Sequence, residues 1–128
     1  MPAYNFKKEF VVKLLDGDKI QTIRKKRKYP TKIGDTLYLY TGLRSKDSRL
    51  LRTVKCSSMA DVVIDRDGVR FDGMMLHPLS AERLAVDDGF DTLEEMMDFF
   101  ERVHGLPFEG EVIFWDLQDD AKPLNDGG

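Results

Sequence analysis

Apolar and polar positions change rhythm several times along the chain. Phe6, Phe10, Val11, Leu14 and Leu15 recur at helical spacing. This predicts a helix over residues 6–15, capped by Asn5 and closed by Gly17. Residues 19–24 read as a short strand, and the basic run Lys25-Lys26-Arg27-Lys28 ends at Pro30. After the turn Ile33-Gly34-Asp35 the rhythm becomes strict alternation over 36–41. Leu37 and Leu39 face one way, Tyr38 and Tyr40 the other. A polar loop over 42–48 leads to predicted strands over 50–56 and 60–65. Asp67-Gly68 then sits between Val62-Val63-Ile64 and Val69-Arg70-Phe71, a tight-hairpin signal.

The helical rhythm returns at Pro78 and Ser80, which open a helix reaching residue 87. Asp88-Gly89-Phe90 breaks it. Thr92 to Glu95 forms a capping box before a stripe of Leu93, Met96, Met97, Phe100 and Val103, and Gly105 ends that helix. A last strand covers 111–117. Short strands joined by turns, with no regular crossover helices, predict a mainly β fold with α. The form expected is a small, mostly antiparallel β-barrel with flanking helices. One domain is expected over 1–118, with a flexible polar tail over 119–128.

Composition narrows the class. The 128 residues are 41% apolar and 34% charged, which argues against wholesale disorder. No run approaches the ~18 apolar residues of a membrane span, and no secretory signal is visible, so a cytoplasmic setting without membrane is expected. Cys56 is the single cysteine and reads as a buried small hydrophobe. With His77 and His104 it makes no ligand cluster, so neither a metal nor another cofactor is expected. His77 suggests no role. His104 falls near a helix C-terminus, where its charge is expected to be favourable. The formal net charge of −3 hides an asymmetry. Residues 1–56 hold 15 Lys and Arg against 5 Asp and Glu, and the remainder is strongly acidic. This predicts a basic face suited to a polyanion.

The octapeptide Gly17-Asp18-Lys19-Ile20-Gln21-Thr22-Ile23-Arg24 reads G-x-K-x-x-T-x-R. It follows a predicted helix and precedes Gly34-Asp35-Thr36-Leu37-Tyr38-Leu39. Further on come Tyr40 to Lys46, Ala85 to Phe90 entering a helix, and the closing Val-Ile-Phe-Trp strand. In these parts and their order the sequence resembles the ASCH domain family, most of all its phage and prophage members, over about residues 4–118. The resemblance implies a PUA-like β-barrel. It also implies RNA or modified-nucleobase binding in a cleft formed by residues 17–24 and a basic face. One branch of the family is similar to an amidohydrolase acting on N4-acetylcytidine, and another member to a ribonuclease. By that likeness Lys19 and Thr22 match two catalytic residues, and Asp88 stands where the branch has a glutamate, one methylene longer.

The chemistry can be argued from the residues. Lys19 and Thr22 are three apart, so the chain must turn between them for both to serve one site. Thr22 and Arg24 share a face if the strand starts near Gln21, and Lys19 is expected at the mouth of the cleft. A threonine hydroxyl needs a base to become a nucleophile. A lysine with a lowered pKa can be that base, with Arg24 and the run 25–28 as the neighbouring cations. Asp88 would handle proton transfer. As a binding domain for RNA, single-stranded nucleic acid or a modified nucleoside, the chain would use Lys19, Arg24, Lys26, Arg27, Arg44, Lys46, Arg49 and Arg52 on phosphates. Tyr40, with Tyr38 and Phe71, would offer stacking faces. A third possibility is a protein–protein module, with its partner unknown. It would show an exposed apolar patch near Phe108 or the Met96-Met97 face.

Overall fold

A computed structural model describes residues 2–116. Its chain order is β1 (Ala3–Phe6), a 3-10 turn (Lys8–Phe10), α1 (Val11–Asp16), β2 (Gln21–Arg24), β3 (Thr36–Thr41), β4 (Arg49–Asp65), β5 (Gly68–Phe71), β6 (Met74–Met75), α2 (Pro78–Asp87), α3 (Leu93–His104) and β7 (Phe108–Trp115). Among the described residues, seven strands make one sheet, mainly antiparallel, with three helices packed on it. The exception is β1, which lies parallel to β3 with Ala3 opposite Tyr38.

The 17-residue β4 organises the sheet. Its first half pairs with β3, and its second half pairs with both β5 and β7. The register slips between Cys56 and Ser58 on the β7 side. Such a bulge bends a strand and lets one chain serve both halves of a curved sheet. The two strands predicted over 50–56 and 60–65 are therefore one. At the far ends of the curve lie β1, bonded to β3, and β2, bonded to β7. No ladder joins β1 to β2. The barrel wall has an open seam there, crossed by the Arg24 guanidinium donating to the Asn5 carbonyl at 2.7 Å.

The predicted N-terminal helix is shortened and displaced. Tyr4 and Phe6 alternate inward with Asn5 outward, a strand rhythm that joins the sheet. The Asn5 side chain accepts from the Leu43 N–H at 2.8 Å instead of capping a helix. Helix begins only at Val11 and ends at Gly17, whose φ of 83° is open to a residue without Cβ. The last strand likewise starts earlier than predicted, at Phe108, and is described to Trp115. The tail over 119–128 lies outside the described residues.

Other expectations hold. Leu37 and Leu39 are buried in β3. Thr92 caps α3 by accepting from the Glu95 N–H at 3.1 Å. Cys56 is buried. His77, for which no role was expected, caps α2: its Nδ1 accepts from the Leu79 N–H at 3.1 Å. By contrast, Phe108, Met96 and Met97 lie in the core and so offer none of the exposed apolar surface expected of a docking module there. Among the described residues, no helix is long and apolar enough to cross a membrane.

Candidate active site

The seam between β1 and β2 opens into a cleft of about 250 Å³. That is near the small end of ligand pockets, which run roughly 300–1,000 Å³. Phe6 and Lys7 come from the β1 side, Lys19 and Thr22 to Lys25 from the β2 side. Asp88 and Phe90 follow α2, and Phe99, Phe100 and His104 belong to α3.

Local backbone bonds explain how Lys19 and Asp88 meet. After Gly17 the chain wraps back, and the Asp18 and Lys19 N–H groups both donate to the Lys13 carbonyl. The Ile20 N–H then donates to the Asp87 carbonyl at 3.0 Å, tying the approach to β2 to the end of α2. Lys19 lies before β2, so strand alternation does not separate it from Thr22. The turn required by the sequence is present.

Lys19 sits at the floor of the cleft, not at its mouth as expected, and is only 2% exposed. Its ammonium donates to the Asp88 backbone carbonyl at 2.6 Å and lies 3.4 Å from the Asp88 carboxylate. The shorter acid therefore reaches its lysine. Gln21 Nε2 donates to the same carboxylate at 3.3 Å. The rings of Phe6 and Phe10 flank the ammonium, with centres at 5.4 and 5.0 Å.

Burial governs the electrostatics. Desolvation lowers the Lys19 pKa from 10.5 to about 8. Asp88 pulls it up and Arg24 pushes it down. Burial also raises the Asp88 carboxyl above the usual range, against the pull of Lys19. Both members of the pair are thus shifted toward their neutral forms. Thr22 is equally buried, and its Oγ1 accepts from Arg24 Nε at 2.9 Å. That bond occupies the oxygen while leaving the hydroxyl proton free to be taken. It also favours a developing alkoxide. Arg24 is itself held over the Tyr4 and Phe6 rings, at 5.2 and 4.7 Å.

The remaining predicted contacts disperse. Lys26 forms a surface ion pair with Asp61 at 2.8 Å, away from the cleft. Arg27 lies on the Tyr4 ring and donates to the Ala3 carbonyl. Arg52 donates to the Leu14 carbonyl at 3.0 Å. Tyr40 is half-buried in β3 opposite Leu50. Arg44, Lys46 and Arg49 are exposed beside the loop that Asn5 anchors through Leu43, which brings that basic loop near the cleft rim.

Sequence reasoning missed Gln21, the aromatic wall, Lys7 and His104. Phe10 and Phe90 meet edge-on at 5.4 Å, and Phe90 and Phe99 lie 5.3 Å apart. Phe90 directly follows Asp88-Gly89, a proximity that could have signalled it. His104 reverses its expectation. Desolvation, then Lys25, Arg24 and Lys7, lower its pKa, so its charge is disfavoured despite the helix end. Among the described residues, no group of three or more His, Cys, Asp or Glu side chains could hold a metal ion.

Neither a family model nor a curated protein matches the sequence. Among solved structures, the fold is similar to a crystal structure of a serine-to-alanine mutant of ZmASCH from Zymomonas mobilis. The TM-score is 0.56 over 96% of this chain and 72% of that chain. At 11% identity this is a likeness of fold. The chain therefore has the fold of an ASCH protein, a small mainly β barrel with flanking helices.

Proposed function

We propose that the chain is a hydrolase that removes an acyl group from the exocyclic amine of a nucleobase, of the N4-acylcytidine class. One observation carries this reading: a buried lysine with its pKa lowered to about 8, held by Asp88 in the same small aromatic cleft as an arginine-bonded threonine. The resemblance of Lys19, Thr22 and Asp88 to the amidohydrolase branch points the same way.

In the mechanism, neutral Lys19 takes the Thr22 proton while the Thr22 oxygen attacks the acyl carbon. Arg24 stabilises the charge on that oxygen as it develops. The tetrahedral intermediate collapses. Lys19 returns the proton to the leaving amine nitrogen, and the acyl group remains as an ester on Thr22. Water, deprotonated by Lys19, then attacks the ester; Lys19 returns that proton to the departing Thr22 oxygen, and the carboxylic acid is released. The Asp88 carboxylate positions Lys19 and can accept a hydrogen bond from the base's exocyclic amine. Phe6, Phe10, Phe90 and Phe99 exclude water and flank the ring.

The test is chromatography of N4-acetylcytidine incubated with wild type, Lys19→Ala and Thr22→Val. Wild type should release cytidine, and each variant should lose roughly a thousandfold of kcat, on the scale of a missing base or nucleophile. Full turnover by Lys19→Ala would sink the proposal. The basic loop beside Asn5 favours a second reading, a binding domain that holds single-stranded RNA without turnover. Salt-sensitive RNA retention with no release of cytidine would select it.

A further inference from the structure

The cleft is graded from floor to rim. Lys19, Thr22 and Asp88 are buried at the floor, while Lys7, Lys25 and His104 are exposed at the mouth. Lys7 leaves the end of β1, Lys25 leaves the end of β2, and His104 closes α3, so three elements converge on one opening. The lining holds three permanent cations (Lys7, Arg24 and Lys25), the titratable Lys19, and a single carboxylate, Asp88, which is already engaged by Lys19 and Gln21. Among the described residues neither Lys7 nor Lys25 has a carboxylate partner. Glu109 shares a neighbouring hollow with Lys25 and His104 but does not line the cleft. Lys7 instead lies over the Phe99 ring, 5.9 Å from its centre, at the cleft wall.

A chain of formal charge −3 thus presents a concentrated positive mouth. Uncompensated cations around an apolar opening focus potential on an anion. A base inserted to the floor would leave its ribose and phosphate at that rim. We infer that Lys7 and Lys25, backed by Arg24 and with the His104 ring beside them, form a phosphate subsite, so that the ligand is a nucleotide rather than a free nucleoside. The field of Lys25, Arg24 and Lys7 reaching His104 is a further sign that these cations share one small volume.

The inference rests on a base occupying the cleft as proposed above, but its test needs no turnover. Calorimetry would compare cytidine, cytidine 5′-monophosphate and a short oligocytidylate on the whole chain. For wild type the monophosphate should bind about tenfold tighter than cytidine at low salt, a size expected of two exposed charge contacts. That preference should shrink as salt rises. In Lys7→Gln/Lys25→Gln, and more strongly in Lys25→Glu, the ratio should fall toward one. An oligonucleotide far tighter than the monophosphate would support the subsite and assign the phosphate to an RNA chain. Equal binding of the two would support it and assign the phosphate to a free nucleotide. Equal affinity of wild type for cytidine and its monophosphate would overturn the inference, as would a preference that survives both variants. A phosphate preference in a protein that never deacylates N4-acetylcytidine would defeat the hydrolase reading alone.

Discussion

Two ion-paired clusters in this molecule use the same chemistry to opposite effect. Arg66, in the β4–β5 turn, bridges Asp98 and Glu101 on α3, with all three side chains about half exposed. There pairing governs: the hydrogen bonds the guanidinium donates to both carboxylates raise its pKa and hold its charge. Lys19 and Asp88 are also paired, yet their side chains are 3% and 5% exposed, and the lysine pKa falls. Water makes the difference. An ion in contact with solvent keeps its hydration while taking a partner, so a partner can only favour its charge. A sealed ion loses its hydration first, and one partner at 3.4 Å does not restore it. The exposed cluster fastens a turn to a helix, while the sealed one holds a proton loosely.

The strongest way to break this contrast is Lys19→Met. It leaves the Asp88 carboxyl buried without its cation and should cost about 3–5 kcal/mol in urea unfolding, with most of that recovered in Lys19→Met/Asp88→Asn. The pH dependence carries its own sign. Folded Lys19 releases its proton near pH 8 while the unfolded chain holds it to 10.5, so this group adds stability as pH rises between those values. The urea midpoint should climb across that window in wild type and lose the climb in Lys19→Met.

Next in size is Gly89→Ala. Gly89 has φ of 100°, and a Cβ there would stand 3.0 Å from Phe10 and 3.2 Å from the Lys19 chain. About 1–3 kcal/mol of stability should be lost through the backbone strain. Turnover should drop with it, because the intruding methyl displaces the lysine. The pH–rate profile sharpens the comparison further. With a pKa of about 8, about a tenth of Lys19 is neutral at pH 7, so kcat should rise about tenfold to a plateau above that pKa. A flat profile from pH 6 to 9 would remove Lys19 as the base. The smallest effect belongs to the exposed cluster: Asp98→Asn should leave the urea midpoint within measurement error, because Glu101 and water remain to Arg66.

Local signals were legible in the sequence where local chemistry decides the structure. The Asp67-Gly68 hairpin, the Thr92 cap with its stripe on α3, and the inward Leu37 and Leu39 needed only neighbours in the chain. The N-terminal segment was misread because Phe6 and Phe10 fit a helical spacing as well as a strand followed by a turn. Only the distant β3, parallel and more than thirty residues away, settles the matter. The bulge at Cys56 and Ser58 leaves no mark in composition, so one bent strand read as two. At the site, the octapeptide supplied Lys19, Thr22 and Arg24, and the resemblance supplied Asp88. Gln21 was hidden between them as an ordinary strand residue. The depth of Lys19 was hidden too, since lysine is ordinarily a surface residue, and its burial depends on Phe6, Phe10 and the α2–α3 connection.

The pairing of β2 has a consequence in time. β2 hydrogen-bonds along its length only to β7, with Gln21 opposite Phe114. The strand carrying Thr22 and Arg24 therefore has no sheet to join until the ribosome has released residue 114 and its neighbours. Until then Lys19 has no sealed floor to lie in and keeps the proton of an ordinary lysine. Closing so long a loop is the slow kind of contact. The proposed reactive centre is thus completed only once β7 is in place. A nascent chain halted short of β7 should be chemically silent even with every proposed catalytic residue already synthesised.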